Sequence, residues 1–175
     1  MAKLISTTAM TVDGLADVTD WYVADGEHSR ASFELLQGAE AMLMGRPTYE
    51  GLAAYWSPLE DEWATLLNAM PKYVASRTAS APLDWNATLL DGDAKDAVRN
   101  LKPALERDLV LIGCGELARE LLSAGLIDEI RFGVHPALGG PGTRPFDSKA
   151  RLELLETVAY DSGVTLLRYR PLIEL

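Results

Sequence analysis

Two short runs of apolar residues each stop at a glycine and lead directly into a helical pattern. The runs are Ala41–Met44, which ends at Gly45, and Leu109–Ile112, which ends at Gly113. A continuous apolar strand of this length indicates burial on both faces, as in a parallel sheet that helices cover on both sides. This feature restricts the chain to an α/β fold more strongly than any other.

Helical and strand patterns alternate through the first three quarters of the chain, and two antiparallel strands close it. The predicted helices are Ser29–Gln37, Thr48–Tyr55, an apolar stripe over Leu59–Met70, Asp93–Leu105 with Pro103 inside it, and Glu116–Ala124. The other predicted strands are Lys3–Met10, Lys72–Ser76, Thr88–Leu90, Ile127–Val134 and the hairpin Leu152–Ala159 with Val164–Tyr169. We therefore predict one three-layer α/β/α domain over residues 1–175, with a mixed, mostly parallel sheet and a C-terminal antiparallel hairpin.

Composition narrows the functional classes. The chain has 175 residues, 48% of them hydrophobic, which is typical of one globular domain with its own core. Sixteen basic against 26 acidic residues give a net charge of −10, which argues against nucleic acid as a partner. A phosphorylated cofactor is compatible with this charge, since a few local arginines and backbone N–H groups suffice to bind it.

The chain carries neither a targeting signal nor a metal motif. No apolar run approaches the roughly 18 residues of a membrane span, and the N-terminus lacks a secretory core, so we expect a cytoplasmic protein without a membrane partner. The single cysteine, Cys114, fits a reducing compartment. His28 and His135 are the two histidines and lie far apart, so we predict no metal site.

Gly113-Cys114-Gly115 joins one of the buried strands to the helix that starts at Glu116. Ligands commonly bind at such turns of an open α/β sheet, and N–H groups at a helix N-terminus attract phosphate. Two glycines let a bulky ligand approach the backbone. A tight turn without a ligand explains the spacing equally well, because a lone glycine pair is a weak signal.

Two further strand ends carry arginine and hydroxyl groups. Gly45, Arg46 and Thr48 stand at the start of a helix, which favours phosphate binding over a solvated loop arginine. Ser76-Arg77-Thr78 follows another strand, although a solvated arginine is the commoner outcome there. Because parallel strands end at one edge of a sheet, we expect the three segments to line one crevice and to hold one long phosphorylated cofactor.

Asp13-Gly14 follows the first strand and should open onto the same crevice. A carboxylate there can orient a substrate or transfer a proton, so Asp13 is the candidate catalytic residue. An ordinary Asp-Gly turn is the commoner explanation of these two residues.

These motifs resemble one known superfamily. MGRPTYE is similar to the MGRxTxE cofactor motif of dihydrofolate reductases, and YVASRT to their strand that ends in Ser-Arg. LIGCGELARELLSAGLIDEIRFGVHPALGGPGTRPF is closer to the reductase domain of the bacterial riboflavin-biosynthesis deaminase/reductase, and TVDGLAD resembles the SLDGxxA of that domain. The resemblance is collinear from Lys3 to Arg170. It implies a dihydrofolate reductase-like fold and NADPH as the cofactor.

The resemblance also implies roles for individual residues. Asp13 would lie beside the nicotinamide, and the loop with Gly139, Gly140 and Thr143 would border the substrate pocket. Arginines in the site favour NADPH over NADH, because the 2′-phosphate adds charge that they can bind. The implied cofactor-binding residues are Gly45, Arg46 and Thr48 at the adenosine side and the phosphates, Ser76, Arg77 and Thr78 around the 2′-phosphate, and Gly113, Cys114, Gly115, Glu116 and Leu117 at the pyrophosphate.

The chain departs in two places from the families that it resembles. It reads Asp25-Gly26-Glu27-His28-Ser29 where dihydrofolate reductases carry the acid that holds the pterin ring, and it lacks a zinc deaminase motif. We therefore predict a homodimeric, NADPH-dependent reductase of a small heterocyclic or ribosylamino substrate, similar to the reductase of riboflavin biosynthesis. The alternatives are an NADPH-binding regulatory module without catalysis and a dihydrofolate reductase.

Overall fold

The structure is a computed structural model that describes residues 2–172. The strands are β1 (Leu4–Thr11), β2 (Ala41–Gly45), β3 (Lys72–Ala75), β4 (Ala87–Leu89), β5 (Leu109–Ile112), β6 (Glu129–His135), β7 (Arg151–Ala159) and β8 (Thr165–Leu172). The helices are α1 (Glu27–Gly38), α2 (Arg46–Trp56), α3 (Glu62–Ala69), α4 (Ala94–Leu101) and α5 (Glu116–Ser123). A 3₁₀ turn, Lys102–Ala104, follows α4.

All eight strands belong to one mixed sheet, in the order β4-β3-β2-β5-β1-β6-β8-β7. Strands β1 to β6 form the parallel part of the sheet, in which every pair of neighbouring strands is parallel. Strand β8 is antiparallel to β6, and β7 is antiparallel to β8. The prediction of a mostly parallel sheet with a C-terminal antiparallel hairpin is confirmed.

Helices cover both faces of the parallel part of the sheet. Successive residues of β2 point to opposite faces, so Leu43 packs with Leu121 of α5 and Val98 of α4. Met42 and Met44 join the other cluster, which includes Leu67 of α3 and Leu36 of α1. Because both faces are buried, the β2 strand consists of apolar residues without alternation.

The differences from the predicted boundaries have local causes. Helix α4 ends at Leu101 and continues only as the 3₁₀ turn, because Pro103 has no N–H to donate to an α-helical bond. Helix α3 starts at Glu62, because the carboxylate of Asp61, the preceding residue, accepts the N–H of Ala64 and so caps the helix. Leu59 and Met70 of the predicted stripe therefore lie outside α3.

Two properties of the described residues bear on function. None of the helices in residues 2–172 combines the length and apolarity needed to cross a bilayer. Within the same residues, no three His, Cys, Asp or Glu side chains are grouped so as to hold a metal ion.

Candidate functional site

A cleft of about 580 Å³ lies where β2, β3, β4 and β5 end. Its volume falls in the usual range of small-molecule sites. The structure brings together all but one of the cofactor-binding residues predicted from the sequence. Those that line the cleft are Gly45, Arg46, Thr48, Ser76, Arg77, Thr78, Gly113, Gly115, Glu116 and Leu117.

Two of the three helices that start at this cleft, α2 and α5, have no side-chain cap at their N-termini. Gly45 precedes α2 and Gly115 precedes α5, and neither glycine has a side chain that could accept the first N–H groups of its helix. By contrast, α3 and α4 are capped by the carboxylates of Asp61 and Asp93. The first N–H groups of α2 and α5 therefore remain as donors toward the cleft, which suits a phosphorylated ligand.

Gly113 packs against Thr48, and both residues line the cleft. Its φ of +97° lies in the left-handed region, and a Cβ on it would stand 2.9 Å from the Thr48 hydroxyl oxygen. A side chain at position 113 would therefore be strained and would crowd the space between β5 and α2. A glycine here keeps the backbone accessible at the strand end.

Arg46 is held in the cleft by two neighbours. Its Nη1 donates to Thr78 Oγ1 at 2.8 Å, and its Nε lies 2.6 Å from Glu50 Oε1 one helical turn along α2. The Ser76 hydroxyl oxygen accepts the N–H groups of Thr78 and Ala79. The segment after β3 is thus folded into a turn that presents Thr78 to Arg46.

Arg77 forms an ion pair across the cleft. Its Nη2 lies 3.0 Å from Glu116 Oε1 and 2.9 Å from Oε2. Strand β2 stands between β3 and β5, so this pair spans the end of β2. Arg77 and Glu116 are 39 residues apart in the sequence, and only the order of the strands brings them together.

The charges in the cleft do not add up to a basic site. Among residues 2–172, its charged lining consists of two arginines and three carboxylates, namely Arg46, Arg77, Asp93, Glu116 and Glu120. Attraction for an anion therefore depends on the two guanidinium groups and the helix N-termini, not on net charge. The donor set fits a phosphorylated cofactor, provided that the carboxylates give way where its phosphates bind.

Cys114 is the one predicted cofactor-binding residue that does not line the cleft. Its side chain is half-buried. Burial raises the pKa of the Cys114 thiol, and the Asp17 carboxylate raises it further. The thiol therefore stays protonated near neutral pH, which does not suit a nucleophile.

Sequence reasoning missed the wall of the cleft that follows β4. This wall comprises Leu90, Gly92, Asp93 and Ala94. A signal for it exists, because Gly92 and Asp93 follow a strand just as the other predicted segments do. The helical pattern includes Asp93 as a helix residue, whereas in the structure it caps α4 from the cleft side.

Asp13 lies outside the cleft lining, after β1, which is the strand next to β5. Its carboxylate accepts the N–H of Gly139 at 2.8 Å, the N–H of Gly140 at 2.9 Å and the hydroxyl of Thr11. These hydrogen bonds, that from Gly139 foremost, hold the pKa of Asp13 well below its ordinary value of 3.8. The group is thus an ionised carboxylate that fixes a loop, and its catalytic role stays a prediction.

The segments 11–17 and 137–144 are tied together at several further points. Asp17 Oδ2 accepts the N–H of Thr143 at 2.8 Å, and Arg144 donates to the carbonyl oxygens of Asp13 and Gly140. Leu15 is buried beneath the second segment. The structure therefore groups Asp13 with Gly139, Gly140 and Thr143, and Arg144 is an additional member of this group.

The start of α1 presents no buried acid. Asp25 and Glu27 are exposed, whereas His28 is buried and contacts the Val23 carbonyl and the Ser162 hydroxyl. The acid that dihydrofolate reductases carry in this region thus has no buried counterpart here.

Comparison with known proteins agrees with this architecture. The family described as the RibD C-terminal domain matches residues 2–166. The uncharacterized protein YyaP of Bacillus subtilis (strain 168) is 29% identical over 179 residues, which cover 95% of this chain and 94% of YyaP.

Solved structures share the fold at low sequence identity. A putative riboflavin biosynthesis protein from Shewanella sp. PV-4 has a TM-score of 0.75 at 20% identity, over 99% of this chain and 100% of that one. A diaminohydroxyphosphoribosylaminopyrimidine deaminase/5-amino-6-(5-phosphoribosylamino)uracil reductase from Thermotoga maritima has a TM-score of 0.68 at 16% identity, over 98% of this chain and 57% of that one. Since the family match spans nearly the whole chain and the fold agrees with it, the protein belongs to the RibD C-terminal domain family.

Proposed function

We propose that this protein is an NADPH-dependent reductase that transfers a hydride to a small heterocyclic or ribosylamino substrate, as a reductase similar to that of riboflavin biosynthesis would. The observation that carries the proposal is the convergence of Arg46, Arg77 and Gly113, from three different strand ends, on one cleft. Membership of the RibD C-terminal domain family supports it. So does the Thermotoga maritima protein of the same fold, which is described as a deaminase/5-amino-6-(5-phosphoribosylamino)uracil reductase.

Different residues of the cleft would bind different parts of such a cofactor. Arg77, with the turn at Ser76 and Thr78, would hold the 2′-phosphate, and Arg46 would hold a phosphate beside the N-terminus of α2. Gly113 and the free N–H groups of α5 would hold the pyrophosphate. When bound, the reduced nicotinamide supplies the hydride, while the protein provides orientation and a dry site.

Asp13 would act as a positioning residue. Its ionised carboxylate holds the N–H groups of Gly139 and Gly140, so it fixes the loop that we propose borders the substrate. It has little capacity left for proton transfer, because three donors already occupy it. This arrangement preorganises the substrate side of the site.

Direct binding of NADPH tests the proposal. We expect NADPH to bind the purified protein in a calorimetric titration, and Arg46→Ala and Arg77→Ala each to weaken binding by roughly tenfold, the value of one charge-assisted phosphate contact. Arg30→Ala is the matched control, because Arg30 is an exposed arginine paired with Glu34 and Glu62 outside the cleft. The absence of NADPH binding would refute the proposal.

The occupied carboxylate of Asp13 also favours a second candidate, an NADPH-binding regulatory module without catalysis. Oxidation of NADPH distinguishes the two candidates. Turnover with any member of a panel of aminouracil ribosides, pterins, quinones and dihydrofolate identifies a reductase. Tight binding without turnover across the panel identifies the regulatory module.

The proposal includes a homodimer formed through β7. This strand is one of the two edges of the sheet, and its outward N–H and C=O groups can pair with a second copy. Leu152, Leu154 and Leu155 on it are 36%, 56% and 37% exposed. A two-fold axis would bring two such edges together.

Light scattering after size exclusion tests the dimer. We expect the mass of two chains for the wild-type protein and of one chain for Leu154→Lys. Leu138→Lys is the control, because Leu138 is 80% exposed and belongs to the loop after β6, not to β7. A monomeric wild-type protein would rule the dimer out.

A further inference from the structure

The ion pair between Arg77 and Glu116 occupies the cleft in which we propose that the cofactor binds. Arg77 Nη2 donates to both carboxylate oxygens of Glu116, at 3.0 and 2.9 Å. Both side chains line the cleft, and the pair spans the end of β2. A ligand phosphate that binds Arg77 must therefore compete with a carboxylate that is already there.

Glu116 also stands at the place where a pyrophosphate would bind. It is the first residue of α5 and directly follows Gly115. The N-terminus of a helix favours negative charge, and here no capping side chain satisfies its N–H groups. The Glu116 carboxylate thus uses the same positive potential that would attract a bound phosphate.

The pair is weak enough for a ligand to open. The side chains of Arg77 and Glu116 are 80% and 56% exposed, and ion pairs of this exposure contribute little stability. A phosphate dianion binds a guanidinium with two parallel hydrogen bonds and more charge than a carboxylate. A ligand with a hydroxyl in place of that phosphate gains nothing from opening the pair.

We propose that Glu116 is a specificity-determining residue, which competes with the 2′-phosphate of the cofactor for Arg77 and so sets how tightly the cleft holds a 2′-phosphorylated ligand. This inference rests on the proposed function. It predicts that wild-type Glu116 weakens NADPH binding and has less effect on NADH, which does not need Arg77. The oxidised cofactor carries the same 2′-phosphate, so Glu116 weakens its binding as well. Glu116 thereby allows the oxidised cofactor to leave the cleft and the reduced one to replace it.

Glu116→Gln tests the inference in a double-mutant cycle with Arg77→Ala. We expect Glu116→Gln to tighten NADPH binding about two- to fivefold in the wild-type background, the range of an exposed ion pair. In the Arg77→Ala background the same change should have no effect beyond that of a control. The control is Glu120→Gln, which removes the same charge from the same helix and the same cleft lining.

Small probes isolate the phosphate that Glu116 competes with. Adenosine 2′,5′-bisphosphate and AMP differ only in the 2′-phosphate. Glu116→Gln should therefore tighten the binding of the bisphosphate and leave the binding of AMP nearly unchanged. Thermal unfolding of each variant verifies that it is folded, because the pair is exposed and its loss should shift the midpoint little.

The outcomes separate this inference from the proposed function. Failure of NADPH and of the bisphosphate to bind either the wild type or Glu116→Gln overturns both. If the wild type binds and Glu116→Gln binds equally well or more weakly, the inference alone is overturned. Weaker binding would show that Glu116 positions Arg77 instead of competing for it. Equal tightening with and without Arg77 also overturns it, because Glu116 would then act through its charge on the pyrophosphate.

Discussion

The backbone N–H of Gly139 donates to the carboxylate of Asp13 at 2.8 Å, across 126 residues of sequence. The neighbouring N–H of Gly140 donates to the other carboxylate oxygen at 2.9 Å. One side chain after β1 thus determines the position of the loop after β6. Its low pKa is a consequence, because each of these donors stabilises the ionised form.

Replacing Asp13 should loosen this loop. In Asp13→Asn one oxygen becomes an NH₂ group, which cannot accept the N–H of a glycine and faces it as a second donor. We expect the unfolding midpoint to fall by roughly 2–4 °C and the amides of Gly139 and Gly140 to exchange hydrogen faster. Asp20→Asn is the control, since Asp20 is exposed and, among residues 2–172, accepts only the Thr19 hydroxyl, at 3.2 Å. Unaltered exchange at both glycines would contradict the prediction.

The same group gives the protein a specific response to acid. The pKa of Asp13 is lowered in the folded state, so its contribution to stability is present above the unfolded value near 3.8. That contribution is lost as the pH falls from there toward the folded pKa. Urea unfolding between pH 5 and 2.5 should therefore show a steeper loss of stability for the wild type than for Asp13→Asn. Parallel curves for the two proteins would show that Asp13 is not the group responsible.

Gly113 and Gly115 provide a matched pair of substitutions in the turn after β5. Gly113 has a φ of +97°, and a Cβ there would meet Thr48 Oγ1 at 2.9 Å, whereas a Cβ on Gly115 would meet nothing within 4 Å. Gly113→Ala should lower the free energy of unfolding by about 1–3 kcal/mol, the usual range for a strained φ. Gly115→Ala, at a φ of −79°, should change it little. Thermal denaturation of the two variants measures the difference, and equal midpoints would contradict the role of Thr48 and φ.

The sequence predicted the bounds of the strands that build the cleft more closely than those of most of the helices around them. The runs Ala41–Met44 and Leu109–Ile112 correspond to β2 and β5 within one residue. A parallel strand that helices cover on both faces has to be apolar throughout, so its residues reveal both its burial and its glycine end. That is why the sequence alone suffices to assign Arg46 and Gly113 to one crevice.

Contacts between segments that are distant in the sequence could not be predicted. The pair of Arg77 and Glu116 depends on β2 lying between β3 and β5, and hydrophobic periodicity does not specify strand order. Likewise, Asp13 resembles the first residue of an ordinary turn, because its partners Gly139 and Gly140 donate through backbone groups that leave no mark on the sequence.

A buried histidine holds the loop before α1. His135 is 2% exposed, its Nδ1 accepts the N–H of Val23 at 3.1 Å, and Trp21 packs against its ring at 5.2 Å. Burial lowers the pKa of His135, and the nearby His28 lowers it further. The unfolded chain therefore binds more protons just below pH 6.5, and stability should fall as the pH drops through that window.

Trp21 fluorescence follows this transition. Protonated Nδ1 cannot accept the Val23 N–H, so we expect the emission of Trp21 to change between pH 7 and 5.5. His135→Asn keeps an acceptor near the position of Nδ1 but does not titrate, and its emission should stay constant. Trp21→Phe identifies the signal, because the chain has four tryptophans. A pH response that persists in His135→Asn would assign the transition to another group.

Lys72 is a cation buried beneath the end of α3. It is 1% exposed, its Nζ donates to the carbonyl oxygen of Leu67 and to that of Asn68 at 3.4 Å, and it lies 4.1 Å from the centre of the Trp85 ring. Burial lowers the pKa of Lys72 from 10.5 to about 8. Between these two values the unfolded chain binds the proton more tightly than the folded one, so stability should rise with pH.

Lys72→Met removes this titration while it keeps an unbranched side chain of similar length. The free energy of unfolding of the wild type should increase relative to that of the variant by about 2 kcal/mol from pH 7.5 to 9.5. Urea denaturation at several pH values in this range gives the difference. Lys95→Met is the control, because Lys95 pairs with Asp93 at the surface, with 42% of its side chain exposed, and its replacement should leave the slope unchanged. If the wild type and Lys72→Met keep a constant difference over this range, Lys72 is charged in both states and the neighbouring carbonyls and Trp85 compensate fully for its burial.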